Sequence, residues 1–283
     1  MVSFNIAGRL IDLSRPQVMG IINVTPDSFY AGSRTPMTDA LLQRAEEMVE
    51  QGAAILDVGA CSTRPGSTPV SAEEELRRLD GAFAALAPLR DRHPELVISL
   101  DTFRADVARR CAHDYDVHVI NDISGGQLDP EMFTTVADLH LPYILTHYPL
   151  LDPTGRSTHG EPLSLLPAVA RFFADRLAQL YELGVADVIL DPGFGFGKNL
   201  EENYELLHHL ADLIRLFPDN PFLIALSRKS MIYRLLDITP DDALNGTTVL
   251  HTLALQAGAH LLRVHDVRPA IEAIRLCQFT AHQ

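Results

Sequence analysis

The feature that most constrains this chain is an alternation running along nearly its whole length. Eight short apolar runs are separated by eight longer amphipathic stretches. The runs are Val18–Val24, Ala54–Gly59, Val97–Asp101, Val117–Asn121, Tyr143–Thr146, Val188–Asp191, Phe222–Ala225 and Leu261–Val264. Short continuous apolar runs suit strands buried on both faces, the mark of a parallel sheet. The stretches Thr38–Gln51, Ala72–Leu89, Ala105–His113, Pro130–Leu139, Leu163–Leu183, Leu200–Phe217, Thr247–Ala257 and Val267–Phe279 read as helices. Ser71 with Glu74 reads as a capping box for the second of these. Parallel strands need long crossovers, and eight strand–helix units in about 250 residues is the arithmetic of a (β/α)8 TIM barrel. We therefore expect one barrel domain over residues 1–283. A doubly wound open sheet is the runner-up. It would want a glycine fingerprint after the first strand, where the chain has Asn23-Val24-Thr25-Pro26-Asp27.

Charge narrows the class of partner. Lys plus Arg number 23 against 37 Asp plus Glu, a formal net charge of −14. Such a surface repels phosphate backbones and anionic lipid, which argues against nucleic-acid and membrane partners. The cysteines Cys61, Cys111 and Cys277 are too widely spaced for a zinc motif and odd in number, which fits a reducing cytoplasm. The first residues hold no long apolar run, so neither a signal peptide nor a membrane span is expected.

In a barrel of this kind the active groups stand at the C-terminal ends of the strands. Reading those ends gives Asn23, Asp57, Asp101, Asn121, Asp191, Ser227 with Lys229, and Arg263 with His265. Asp101, Asn121, Asp191 and Lys229 offer acceptors, a mixed amide and a cationic donor. A carboxylate can take paired N–H bonds from a ring amino group and its neighbouring ring N–H. An amide can read a donor–acceptor edge, and a lysine can donate to a ring carbonyl. That set fits a 2-amino-4-oxo heterocycle such as guanine or a pterin. Arg263 and His265, two apart at the last strand end, form a candidate diphosphate clamp. Asp191-Pro192-Gly193-Phe194-Gly195-Phe196-Gly197-Lys198 is a glycine-rich turn with two aromatics, suited to an aromatic wall beside a ring. Only Lys198 and Lys229 among the 23 basic residues are lysine, which points to sites needing a compact ammonium.

These motifs, in this order, resemble the dihydropteroate synthase family, whose members sulfonamides inhibit. The resemblance covers nearly the whole chain. It rests on Met19-Gly20-Ile21-Ile22-Asn23-Val24-Thr25-Pro26-Asp27-Ser28-Phe29, Ser62-Thr63-Arg64-Pro65-Gly66, Asp101-Thr102 and Ile120-Asn121-Asp122. It continues with the turn 191–198, Ser227-Arg228-Lys229-Ser230 and Arg263-Val264-His265-Asp266.

The resemblance implies a TIM-barrel transferase, usually a homodimer. It joins 6-hydroxymethyl-7,8-dihydropterin diphosphate to p-aminobenzoate and releases diphosphate. It assigns the pterin to Asp101, Asn121, Asp191 and Lys229, and the diphosphate to Arg263 and His265. Asn23 would ligate Mg²⁺. Thr63, Arg64, Pro65, Phe196 and Ser227 would shape the p-aminobenzoate pocket. Three places depart from the family pattern: Tyr30-Ala31-Gly32 lacks an acid at position 31, Ala60-Cys61 replaces Gly-Glu, and Thr146-His147-Tyr148 replaces Met-His-Met. The last makes Tyr148 the expected substitute for a methionine against the ring. Two other readings compete. One is a methyltetrahydrofolate-binding methyltransferase domain, which would not need the Ser-Arg-Lys turn or the Ser-Thr-Arg-Pro loop. The other is a catalytically silent pterin-binding paralogue.

Overall fold

The computed structural model describes residues 2–6, 8–24, 37–61, 70–149 and 165–281. Eight parallel strands lie side by side: β3 (Gln17–Asn23), β4 (Ile55–Gly59), β5 (Val97–Asp101), β6 (Val119–Asp122), β7 (Tyr143–Thr146), β8 (Val188–Asp191), β9 (Leu223–Ile224) and β10 (Leu261–Val264). The order β8-β7-β6-β5-β4-β3-β10-β9 is closed into a ring by a parallel bridge between Leu190 and Phe222. This is the barrel expected from the alternation of apolar runs.

The helices run down the outside: α1 (Met37–Glu50), α2 (Ala72–Arg92), α3 (Ala105–Tyr115), α4 (Met132–Leu139), α5 (Leu165–Glu182), α6 (Leu200–His208), α7 (Leu210–Leu216), α8 (Ser230–Leu236), α9 (Leu244–Ala257) and α10 (Val267–Ala281). Side chains alternate along each strand. Leu56, Val58, Ile98 and Leu100 face outward and pack under the helices, with Leu79, Phe83 and Val107. Met19, Ile55, Val97, Ile144 and Ile189 belong to a second cluster, inside the barrel at the N-terminal ends of the strands.

Three features differ from the sequence reading. An antiparallel hairpin, β1 (Ser3–Ile6) with β2 (Arg9–Asp12), precedes the barrel and buries Phe4 and Ile6 in that inner cluster. It plugs the end of the barrel away from the strand C-termini. The stretch expected as one helix over Leu200–Phe217 is broken at His209, whose backbone leaves helical geometry (φ −95°, ψ 12°). The ring Nδ1 of His209 sits 3.1 Å from Asp212. At Ser71 only half of the expected capping box forms. The Ser71 hydroxyl accepts from the Glu74 amide at 3.2 Å, while the Glu74 carboxylate takes Arg77 and Arg78. The reciprocal box forms instead at Asn199 with Glu202, which opens α6.

Candidate active site

The C-terminal strand ends share a level set by register. Asn23 stands opposite Gly59, Gly59 opposite Asp101, and Asp101 opposite Asn121. Asp57 lies one inward-facing position deeper, opposite Ser99. Four side chains meet in the barrel mouth, those of Asp57, Asp101, Asn121 and Arg263. Arg263 donates from Nε to Asp57 Oδ2 and from Nη2 to Asp101 Oδ2, each at 2.6 Å. Asn121 Nδ2 donates to the same Asp57 oxygen at 2.8 Å. One guanidinium therefore serves two carboxylates. Burial pushes the Asp101 carboxyl up to about 7, against the pull of Arg263 and with the help of Asp57.

The far side of the mouth is built by the turn after β8. Asp191 is buried, and its Oδ1 accepts from the Gly193 amide at 2.8 Å. Gly193 takes φ +68°, and a Cβ there would stand 2.1 Å from the His147 carbonyl oxygen, so only glycine fits. Two ammonium groups hold the turn. Lys198 donates to the carbonyls of Gly193 (2.8 Å), Phe196 (3.2 Å) and His147 (3.4 Å). Lys229 donates to the Phe194 carbonyl. Burial raises the Asp191 carboxyl despite Lys229, and lowers Lys229 to about 8 and Lys198 to about 7 despite Asp191. The two aromatics divide. Phe194 is fully buried in the core, whereas Phe196 is half-buried, with Lys229 Nζ 4.8 Å from its ring centroid. Tyr148 stands beside Phe196, ring centroids 5.8 Å apart.

Asn23 ends β3, half-buried. The candidate diphosphate clamp of Arg263 and His265 has its two side chains on different partners in the structure. Strand β10 stops at Val264, Arg263 turns inward to the carboxylates, and the His265 amide is held by the Ser227 hydroxyl at 3.1 Å. The His265 ring Nδ1 lies 3.0 Å from the same oxygen. Ser227 is thus a buried support for His265. Arg228, at φ +53°, faces away from the mouth and pairs with Asp266 at 2.8 Å. Thr63, Arg64, Pro65 and Ala31 lie outside the described residues.

The pterin binding enzyme family model matches residues 19–265. The chain belongs to the pterin-binding enzyme family. This member is 40% identical over 278 residues to the dihydropteroate synthase of Escherichia coli (strain K12), covering 96% of this chain and 94% of the relative. It is 35% identical over 277 residues to that of Mycobacterium leprae (strain TN), covering 94% of each. Among solved structures it is similar to Xanthomonas albilineans dihydropteroate synthase with 4-aminobenzoic acid. There the TM-score is 0.87 and the identity 36%, covering 99% of this chain and 98% of that one. The same enzyme in complex with 7,8-dihydropteroate matches with TM-score 0.85 at 35% identity, covering 99% of both chains.

Two roles in this pterin-binding enzyme were not visible in the sequence. Asp57 stood among the strand ends, yet its place as common acceptor for Asn121 and Arg263 depends on cross-barrel geometry. The one local signal is a carboxylate at an inward position of an otherwise apolar strand, Ile55-Leu56-Asp57-Val58. Lys198 is a brace whose three carbonyl partners come from two different loops.

Proposed function

We propose that this chain joins 6-hydroxymethyl-7,8-dihydropterin diphosphate to p-aminobenzoate, giving 7,8-dihydropteroate and diphosphate. The observation that carries the reading is the convergence of Asp101, Asn121, Asp191, Lys229 and Arg263 on one barrel mouth. Asp191 takes the ring amino group and its neighbouring N–H, Lys229 the ring carbonyl, and Asn121 the remaining polar edge. Thr63, Arg64, Pro65, Phe196 and Ser227 are assigned to the p-aminobenzoate side.

The donor set at Asn23 suits Mg²⁺. Among the described residues no group of three or more His, Cys, Asp or Glu could cage a metal. Mg²⁺ is commonly held by one or two protein oxygens plus substrate phosphate and water, and the half-buried Asn23 side chain supplies one such oxygen. When bound, the ion neutralises charge on the departing diphosphate. Arg263 and His265 are assigned to the diphosphate at that end of the mouth. As the methylene–oxygen bond breaks, the pterin methylene becomes cationic. The Asp101 carboxylate offsets it, in a site where burial strengthens the interaction. The arylamine nitrogen then attacks that carbon and loses a proton to the released diphosphate or to solvent, and no covalent enzyme intermediate is needed.

The reading includes a homodimer. Leu235 and Leu236 on α8, Val249 and Leu253 on α9, and Leu276 and Phe279 on α10 are all exposed, and α9 touches both neighbouring helices. Sedimentation of the purified chain tests this part. A turnover assay with both substrates and Mg²⁺ tests the reaction. Product formation supports the proposal, and pterin binding without turnover would instead identify a silent paralogue. Methyl transfer from methyltetrahydrofolate would favour the methyltransferase reading.

A further inference from the structure

The Asn121 amide cannot turn over freely. Its Nδ2 donates to Asp57 Oδ2 at 2.8 Å, and that oxygen also accepts from Arg263 Nε at 2.6 Å. Asp57 is fully buried and Asn121 is 2% exposed. A guanidinium only donates, so Asp57 Oδ2 is an acceptor towards both neighbours. Rotating the Asn121 amide by half a turn would press its carbonyl oxygen against that acceptor in a site closed to water. The amide therefore offers a ligand its oxygen and its second N–H in one fixed order.

Position around the barrel decides which ring edge meets that order. Asn121, Asp191, Lys229 and Arg263 come from β6, β8, the turn after β9 and β10, in sequence around the ring of strands. Travelling round a 7,8-dihydropterin meets N8–H with N1, then the 2-amino group with N3–H, then the 4-oxo group with N5. The C6 methylene with its leaving group comes last. With Asp191 on the second edge and Lys229 on the third, Asn121 receives N8 and N1, and the methylene faces Arg263. In the dihydro ring N8–H is a donor beside the acceptor N1, which matches an amide oxygen beside an amide N–H. In a fully oxidised pterin N8 has no hydrogen. It would then set a lone pair against the fixed Asn121 oxygen.

We propose that Asp57 is a positioning residue that locks the Asn121 amide and so makes the site select a 7,8-dihydropterin over a fully oxidised one. This rests on the pterin reading given above. The test is anaerobic calorimetry with 6-hydroxymethyl-7,8-dihydropterin and 6-hydroxymethylpterin, neither carrying phosphate. The unaltered chain should prefer the dihydro ligand about ten-fold or more, the equivalent of one unmade buried hydrogen bond. Asp57→Ala removes the oxygen to which both Asn121 and Arg263 donate. It should release the lock and bring the ratio near one. A role limited to packing would weaken both ligands alike and leave the ratio unchanged. Should Asp57→Ala fail to fold, Asn121→Ala gives the second reading, because removing the amide should also abolish the preference. Equal affinities in the unaltered chain, or a ratio that survives substitution, would overturn the role of Asp57 and leave the pterin reading standing. Failure of both ligands to bind the unaltered chain would overturn the pterin reading and this proposal with it.

Discussion

Asp101 lies so close to Gly59 on the neighbouring strand that a Cβ on the glycine would meet the Asp101 Cβ at 3.0 Å and its Oδ2 at 3.3 Å. The same Oδ2 is held by Arg263 at 2.6 Å. A methyl group at position 59 therefore pushes on a carboxylate that cannot withdraw without leaving its cation. Overpacking of this kind costs about 1–3 kcal/mol. Gly59→Ala should lower kcat/KM by about ten- to a hundred-fold, with only a modest fall in melting temperature. Steady-state kinetics beside a thermal melt checks this. Unchanged kinetics would mean that Asp101 has room to move.

Burial disfavours the charge of Asp191 despite the nearby Lys229. Asp191→Asn replaces one acceptor oxygen with a donor that faces donors on the ring. Loss of a charge-assisted bond, with a buried donor left unmet, should weaken pterin binding by roughly 2–4 kcal/mol. Calorimetry with a pterin lacking phosphate decides it, and unchanged affinity would remove Asp191 from the ring site.

The strands and their order were legible because apolar runs mark buried parallel strands directly, and β5, β7, β8 and β10 have the bounds read from the sequence. The hairpin before them was not. Ser3–Ile6 and Arg9–Asp12 are four residues each, and in Ser3–Ile6 buried positions alternate with exposed or half-buried ones too briefly to stand out. The ring-facing residues were legible because strand ends of a barrel converge by construction. What linked them was not. Whether Arg263 reaches a phosphate or a carboxylate depends on side-chain direction across the barrel, and the contact with Asp57 spans 206 positions of sequence.

The two lysines separate by what surrounds each ammonium. Lys229 Nζ lies near one carbonyl and over the Phe196 ring, where a compact donor can still reach a ligand oxygen. Lys229→Arg keeps the charge but is wider, and should damage pterin binding. Lys198 Nζ is surrounded by three carbonyls, and a planar fork cannot fill a cage built for a point donor. Lys198→Arg should lower stability by about 1–3 kcal/mol through loss of those bonds, and distort the Phe196 wall. Denaturant melts of both variants, read beside pterin affinity, check the assignment. A fully stable Lys198→Arg would show that the brace is dispensable.

The pH profile follows from two shifted groups. Asp101 must be ionised to offset a developing cation, and burial has raised it to about 7, so kcat/KM should fall as pH drops through that value. Lys229 must be protonated to donate, and burial has lowered it to about 8, so affinity for a phosphate-free pterin should fall as pH rises through 8. Stability carries the opposite signs. A carboxyl raised above its unfolded value stabilises the fold at low pH, and that contribution is lost between its unfolded value of 3.8 and about 7. A lysine lowered below its unfolded 10.5 lets stability recover between about 8 and that value. Asp101→Asn should flatten the acid limb of the rate profile. An acid limb that persists in that variant would assign it to another group.

Asn23 gives the sharpest test of the metal. Its amide is neutral, so alone it binds Mg²⁺ weakly, and a stable site requires phosphate oxygens from the substrate. Binding of the pterin diphosphate should therefore weaken when Mg²⁺ is removed by a chelator, and weaken again in Asn23→Ala with Mg²⁺ present. Once Mg²⁺ is removed, Asn23→Ala should bind the diphosphate no worse than the unaltered chain, because both changes act through the same ion. A pterin lacking phosphate should bind equally in all four combinations, since its ring contacts come from Asn121, Asp191 and Lys229 and not from β3. Calorimetry over the four combinations reads the coupling directly. Losses that simply add, or a loss that also affects the phosphate-free ligand, would mean that Asn23 contacts the ring or shapes the strand end without holding a metal.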